Sequence, residues 1–157
     1  MKEYVLPTFA IRIKSPKFIL ESSKNVNGSV RVEYVYGKPV NGSAQFKFGV
    51  KAPNGRVSYF GSTSLKTLVN GSAYYSVGIN EFRDLPFTWF PAVNNHRFVV
   101  EVTVHERATG KKDKALDETG LFVASPYVIS YKNTFSDFKP NVETYITVSF
   151  DHFFPFF

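Results

Sequence analysis

Cysteine is absent from the 157 residues, and only one methionine and one tryptophan are present. The lack of cysteine excludes disulfide bonds, thiolate metal ligands and cysteine nucleophiles within this chain, although a protein without cysteine can still be extracellular. No apolar run approaches the roughly 18 residues of a membrane span. The amino-terminal MKEYVLPTF also lacks the long apolar stretch of a secretory signal. We therefore expect no membrane insertion and no signal peptide in this chain.

Acidic residues are fewer than basic ones, but the positive charge is not concentrated. Nineteen Lys and Arg residues against thirteen Asp and Glu residues give a net charge of +6, spread from Lys2 to Lys139. One cluster, Lys111–Lys114 with the sequence KKDK, is interrupted by an aspartate and lies between two strand-like runs, which favours a solvated loop. Without a basic stripe we expect no nucleic-acid partner.

Motifs of catalysis and metal binding are missing as well. The three histidines, His96, His105 and His152, do not have the HExxH type of spacing, and no CxxC pair, GxSxG, GxxxxGK[ST] or DxDxDG motif is present. His105 follows the apolar Val104 and is expected to point outward as a surface histidine. The sequence predicts no catalytic residue, no cofactor and no metal site.

Aromatic residues are abundant, with 17 Phe and 9 Tyr, and such rings suit pleated sheets. Apolar and polar side chains alternate in short runs divided by turn-forming residues. This spacing predicts an all-β, fibronectin-like antiparallel β-sandwich of about seven strands, with at most one turn of helix after Asn80. The alternating runs are Phe9–Ile13, Val30–Tyr34, Ala44–Val50, Ala73–Val77, Phe98–Val104 and Leu121–Val123.

Two of these runs flank a stretch of turn-forming residues between Tyr34 and Ala44. Pro39 fixes its φ near a turn value and Gly42 tolerates positive φ, so we predict a β-hairpin from Val30 to Val50.

The triplet Asn-Gly-Ser occurs at Asn27, Asn41 and Asn70, each time matching the N-glycosylation pattern N-x-[ST]. Asn-Gly is also a favoured hairpin turn, since both residues tolerate positive φ. Both interpretations remain open for each site. We expect the three asparagines at exposed turns, with at least one carrying a glycan if the parent protein is secreted.

A fresh set of alternating residues begins after Ser125, with runs at Val128–Tyr131 and Thr144–Phe150, so a domain boundary is expected near Ser125. Four phenylalanines follow Asp151 with only two strands to cover them. We expect an incomplete second domain, in a fragment or truncated product, that self-associates through its apolar edges.

Several motifs resemble the complement and α2-macroglobulin superfamily of thioester proteins, in the region of the third macroglobulin domain. KEYVLPTFAIRI at Lys2–Ile13 and YVYGKPVNG at Tyr34–Gly42 carry most of the resemblance. FGVK at Phe48–Lys51, VASPY at Val123–Tyr127 and FKP at Phe138–Pro140 occur in the family order. Asn141 stands where the family has the glycine of FKPG, and the thioester motif Cys-Gly-Glu-Gln is absent.

The resemblance implies that residues 1–5 end one macroglobulin domain, residues 6–124 form the third, and residues 125–157 begin the fourth. It implies an extracellular, non-enzymatic scaffold in innate immunity or protease trapping. Its partners would be the neighbouring macroglobulin domains of a longer parent chain, with complement proteins or receptors. The alternative is an independent adhesion or receptor β-sandwich module, because a fold does not fix a function.

Overall fold

The computed structural model describes residues 8–20, 22–82, 95–125, 127–132 and 147–152. The chain divides into two compact units, Met1–Val123 and Ala124–Phe157. Two expectations fall outside the described residues: the end of a preceding domain at residues 1–5 and the phenylalanine-rich segment 153–157.

The first unit consists of two β-sheets. A three-stranded sheet has the order β1 (Phe9–Lys14), β3 (Asn25–Tyr34), β6 (Ser72–Gly78) and is antiparallel throughout. A five-stranded sheet has the order β2 (Phe18–Leu20), β8 (Lys112–Val123), β7 (Arg97–Glu106), β4 (Gly42–Lys51), β5 (Val57–Thr67). The predicted all-β sandwich is confirmed, with one exception to its antiparallel character: β2 pairs with β8 in parallel.

The core lies between the two sheets and is built by the alternation visible in the sequence. Successive side chains of a strand point to opposite faces, so every second residue of each central strand is buried. Rings of Phe46, Phe48, Tyr75 and Phe98 have their centroids 5.3 to 6.5 Å apart, in tilted and stacked pairs. The most deeply buried core residues are Val30, Val32, Val40, Ala44, Phe46, Val50, Phe98, Val100, Val102 and Val104.

The predicted hairpin from Val30 to Val50 is wrong. β3 and β4 belong to opposite sheets, because β1 and β6 already occupy both edges of β3. The chain does turn back locally after β3, where Tyr34 N–H donates to Lys38 O at 2.8 Å and Glu33 bridges Pro39. It then crosses to the other sheet, where β4 pairs with β5 and β7.

Two smaller predictions need correction, and a third agrees with the structure in length. Lys112–Lys114 begins β8 instead of forming a loop, although its side chains are exposed as expected. In the last run the predicted alternation fails, because Phe122 and Val123 are both buried and Leu121 is half-buried. The prediction of at most one helical turn near Asn80 agrees with a 3₁₀ turn at Ile79–Phe82, although Asn80 lies within this turn and does not precede it.

The second unit contains β9 (Tyr127–Lys132) and β10 (Thr147–His152), paired antiparallel as a two-stranded sheet. Asp151 is opposite Val128 and His152 is opposite Tyr127 in this register.

Candidate functional site

Asn27 lies on the outer face of the three-stranded sheet, in the middle of β3 and opposite Ser76. Its side chain is exposed, whereas the next residue packs inward. A Cβ atom on Gly28 would lie 2.1 Å from the Tyr75 hydroxyl oxygen and 2.6 Å from the carbonyl oxygen of Lys14. The glycine of this triplet is therefore required by close packing, and this packing makes no demand on the asparagine.

The Tyr75 hydroxyl above Gly28 joins two parts of the fold. It forms a hydrogen bond of 2.8 Å with Ser15 Oγ, beyond the end of β1. Burial raises the pKa of Tyr75 to about 12, so the hydroxyl stays protonated over the physiological range.

Asn41 is exposed and precedes the first residue of β4. Its carbonyl oxygen accepts a hydrogen bond from Arg107 N–H at 2.9 Å, while its side chain points away from the fold. A Cβ on Gly42 would lie 2.0 Å from the carbonyl oxygen of His105 on β7. Here too the glycine has a packing role and the asparagine side chain has none.

Asn70 is the only one of the three in a turn. Its φ of 50° and the φ of 74° at Gly71 give positive values at both central residues, the signature of a type I′ turn. Val69 and Ser72 exchange backbone hydrogen bonds of 2.8 and 3.0 Å across it. Backbone geometry therefore explains both the asparagine and the glycine of this triplet.

The expectation of three exposed turn sites is partly right. All three asparagines are exposed, and none of their side-chain amides bonds to another described residue. Asn70 lies in a turn, Asn41 lies at a strand start, and Asn27 lies within a strand, where a turn was wrongly expected. The structure does not bring the three together: they lie on β3, before β4 and after β5.

A buried carboxylate at the sandwich end near Asn41 was not predicted from the sequence. Glu106 is 3% exposed, the single buried charged residue in the described part of the chain. Its two carboxylate oxygens accept hydrogen bonds from the Tyr34 hydroxyl on β3 and the Thr109 hydroxyl. Tyr34 and Glu106 therefore connect the two sheets. The period of two was the available signal, since Glu106 follows the inward residues Val102 and Val104.

Electrostatics fix the protonation states of this pair. The hydrogen bonds from Thr109 and Tyr34 lower the pKa of Glu106, against the opposing effect of burial. The hydrogen bond to Glu106 in turn raises the pKa of Tyr34 to about 12. The carboxylate is thus held ionised and the phenol neutral, each as the other's partner, which suits a structural link between sheets.

The positions of the histidines can be compared with the predictions made from the sequence. His105 alternates with the buried Val104 and Glu106 and points outward, as predicted. The side chain of His152 lies outside the described residues. Within the described ranges no three His, Asp or Glu residues come close enough to hold a metal ion. No helix in that part of the chain is long and apolar enough to cross a membrane.

Comparison with known proteins gives a family. Residues 3–85, more than half of the chain, match the model of the macroglobulin domain MG3. Cobra venom factor of Naja kaouthia is 29% identical over 154 residues, and complement C3 of Naja naja is 31% identical over 151. Each alignment covers 94% of this chain, which spans about 9% of the length of these relatives.

A third relative agrees. Complement C3 of Eptatretus burgeri is 29% identical over 147 residues, covering 90% of this chain and 9% of the relative. With the two-sheet sandwich and the MG3 match in agreement, the chain belongs to the macroglobulin family of complement C3-like proteins.

Proposed function

We propose that this chain is a non-catalytic scaffold unit of a longer, secreted complement-like protein that acts in innate immunity or protease trapping. The observation that carries the proposal is the MG3 match over residues 3–85, since macroglobulin domains are scaffold domains of complement C3-like proteins. The polar chemistry supports it. Glu106 is the one buried charged residue in the described part of the chain, and burial is a property it shares with many catalytic acids and bases. Both of its carboxylate oxygens already accept hydrogen bonds, from Tyr34 and Thr109, which suits a structural role.

The domain organisation is proposed in the same terms. Residues 1–5 would end the preceding macroglobulin domain, residues 6–124 would form the third, and residues 125–157 would begin the fourth. Strand pairing beyond the matched segment supports this extent: β7 pairs with β4, and β8 pairs with β7 and β2, so residues up to Val123 complete the same sheet. The partners would be neighbouring macroglobulin domains of the parent chain.

Sequencing of the full-length transcript tests this proposal against the adhesion alternative. We expect a signal peptide and two further macroglobulin domains upstream, and a Cys-Gly-Glu-Gln thioester motif downstream. A membrane anchor within the next few hundred residues, without macroglobulin repeats or a thioester, would instead establish an adhesion or receptor module.

We also propose that the secreted parent carries N-linked glycan on at least one of Asn27, Asn41 and Asn70. The exposure of all three asparagines supports it, because a glycan at any of them meets no packed side chain. Asn27 and Asn41 are the stronger candidates, since neither turn geometry nor a hydrogen bond accounts for their amides.

Mass spectrometry after glycosidase treatment of protein secreted from eukaryotic cells measures this modification. Asn54 is a matched control within the chain: it is exposed, lies in a turn and precedes a glycine, but Arg56 replaces the serine of the pattern. We expect conversion to aspartate that requires the glycosidase at Asn27 or Asn41, whereas any conversion at Asn54, the spontaneous deamidation typical of Asn-Gly, should be the same with and without the enzyme. If all three asparagines are unmodified, the glycosylation proposal is wrong. Packing and turn geometry alone would then explain the Asn-Gly-Ser triplets.

A further inference from the structure

The outer face of the three-stranded sheet collects basic residues that are far apart in the sequence. Arg12 on β1 lies directly opposite Arg31 on β3. Lys14 is two residues further along β1, on the same face, and lies opposite Ser29. Tyr74 on β6, 74% exposed, flanks Ser29 on the other side. Arg12, Lys14, Arg31 and Tyr74 form what we call the basic face.

The charges of this face are incompletely balanced. Glu33 is the single acid within the three strands of this sheet, and its Oε1 lies 2.7 Å from Arg31 Nη2. Arg12 and Lys14 form no ion pair within the described part of the chain. Like charges directly opposite each other in a sheet are destabilising. Glu33 compensates the charge of Arg31, whereas no acid in the described part of the chain compensates that of Arg12.

The spacing of these cations suits an extended polyanion. Opposite residues on paired strands have Cβ atoms about 5 Å apart. The guanidinium groups of Arg12 and Arg31 can therefore both donate hydrogen bonds to one tetrahedral anion. Lys14 is about 7 Å further along the strand direction and reaches the next anionic group. The Tyr74 ring beside them offers a flat apolar surface, and the Ser29 and Ser72 hydroxyls can donate or accept hydrogen bonds.

We propose that the basic face binds a linear sulfated polysaccharide, with sulfate groups held by Arg12, Arg31 and Lys14 and a sugar ring lying against Tyr74. Single-stranded nucleic acid is disfavoured because it needs several stacking rings, and this face exposes one. An anionic membrane is disfavoured because surface recognition of that kind uses about four to eight clustered cations. This proposal is independent of the scaffold function.

The test is binding of the full chain to a heparin-derived oligosaccharide, measured in solution at two salt concentrations. The protein is produced without glycosylation because Asn27 lies on the same face. The double variant Arg12→Gln/Lys14→Gln should raise the dissociation constant about tenfold, as expected for the loss of two exposed charge pairs, and should flatten the salt dependence. The matched control Arg56→Gln/Lys112→Gln removes the same charges from a turn and from the other sheet, and should bind as the unmodified protein does.

A second variant predicts a gain. Glu33→Gln removes the acid that pairs with Arg31, so binding should tighten, whereas Asp113→Asn on β8 should leave it unchanged. The proposal is overturned if the face and control variants weaken binding equally, which would indicate net charge alone, or if neither does. It is also overturned if Glu33→Gln fails to tighten binding, if desulfated oligosaccharide binds equally well, or if vesicles of acidic phospholipid are preferred.

Discussion

Replacing Gly42 with alanine is a sharp test of the packing account of the Asn-Gly-Ser triplets, because it preserves the glycosylation pattern while adding one methyl group. The new Cβ would lie 2.0 Å from the carbonyl oxygen of His105 and 3.2 Å from Glu106 Cα, both backbone atoms of β7. Ordinary contact begins near 3.4 Å, so the strands must separate locally by ~1.4 Å. No side-chain rotation can relieve this clash.

The expected loss follows from what that separation disrupts. Leu68 N–H donates to Gly42 O and Arg107 N–H donates to Asn41 O, both at 2.9 Å, and each such bond contributes about 1 kcal/mol. Overpacking adds roughly 1–3 kcal/mol, and the lower entropy of unfolded alanine offsets about 0.5–1 kcal/mol. We expect the free energy of unfolding to fall by about 3 kcal/mol and the melting midpoint by roughly 10 °C.

Urea denaturation of the full chain, followed by circular dichroism, measures the change. Gly78→Ala is the matched control: its Cβ would meet nothing closer than 3.8 Å, at the end of β6. The free energy of unfolding of that variant should lie within about 0.5 kcal/mol of that of the unmodified protein. If Gly42→Ala and Gly78→Ala unfold at the same urea concentration, the packing explanation of this glycine is refuted.

Three further predictions concern the inter-sheet link and the core. Because its folded pKa is lowered, Glu106 contributes stability above pH 4.5 that is lost as pH falls through the folded pKa, so the advantage over Glu106→Gln should vanish in acidic thermal melts. Tyr34, whose pKa is raised to about 12, should stabilise the fold below pH 10 relative to Tyr34→Phe and lose that effect by about pH 12. Phe46→Ala should lower the free energy of unfolding by about 3–5 kcal/mol in urea, whereas exposed Leu65→Ala should change it little.

Burial along single strands was predictable from the sequence. Alternation correctly placed Ala44, Phe46, Phe48 and Val50 on one buried face, since a half-buried strand must bury every second residue. The same rule would have marked Glu106 as inward.

Sheet membership was not predictable in the same way. Both sheets of a sandwich turn their apolar faces toward the shared core. Alternation therefore predicts the same burial pattern whether β3 and β4 belong to one sheet or to two different sheets. The turn-forming residues around Pro39 do form a local turn, in which Tyr34 N–H donates to Lys38 O and Glu33 bridges Pro39, but this turn does not pair β3 with β4. The outcome depends on β1 and β6 taking both edges of β3, which are pairings between distant segments.

The basic face illustrates the same limit. Arg12 and Arg31 are far apart in the sequence, so the charges look scattered along the chain until the β1–β3 register aligns them. The packing roles of Gly28 and Gly42 were hidden for the same reason, since the atoms that exclude a side chain belong to β6 and β7. Asn70-Gly71 was predictable because a type I′ turn is set by its own two residues.

The most direct test of the scaffold account is to purify the parent protein from extracellular fluid with an antibody against the Phe9–Val123 sandwich and to map its peptides. We expect peptides of this chain in one polypeptide many times its length, with macroglobulin domains on both sides and no catalytic activity assignable to this segment. A short mature protein that contains this sandwich without macroglobulin neighbours would contradict the account.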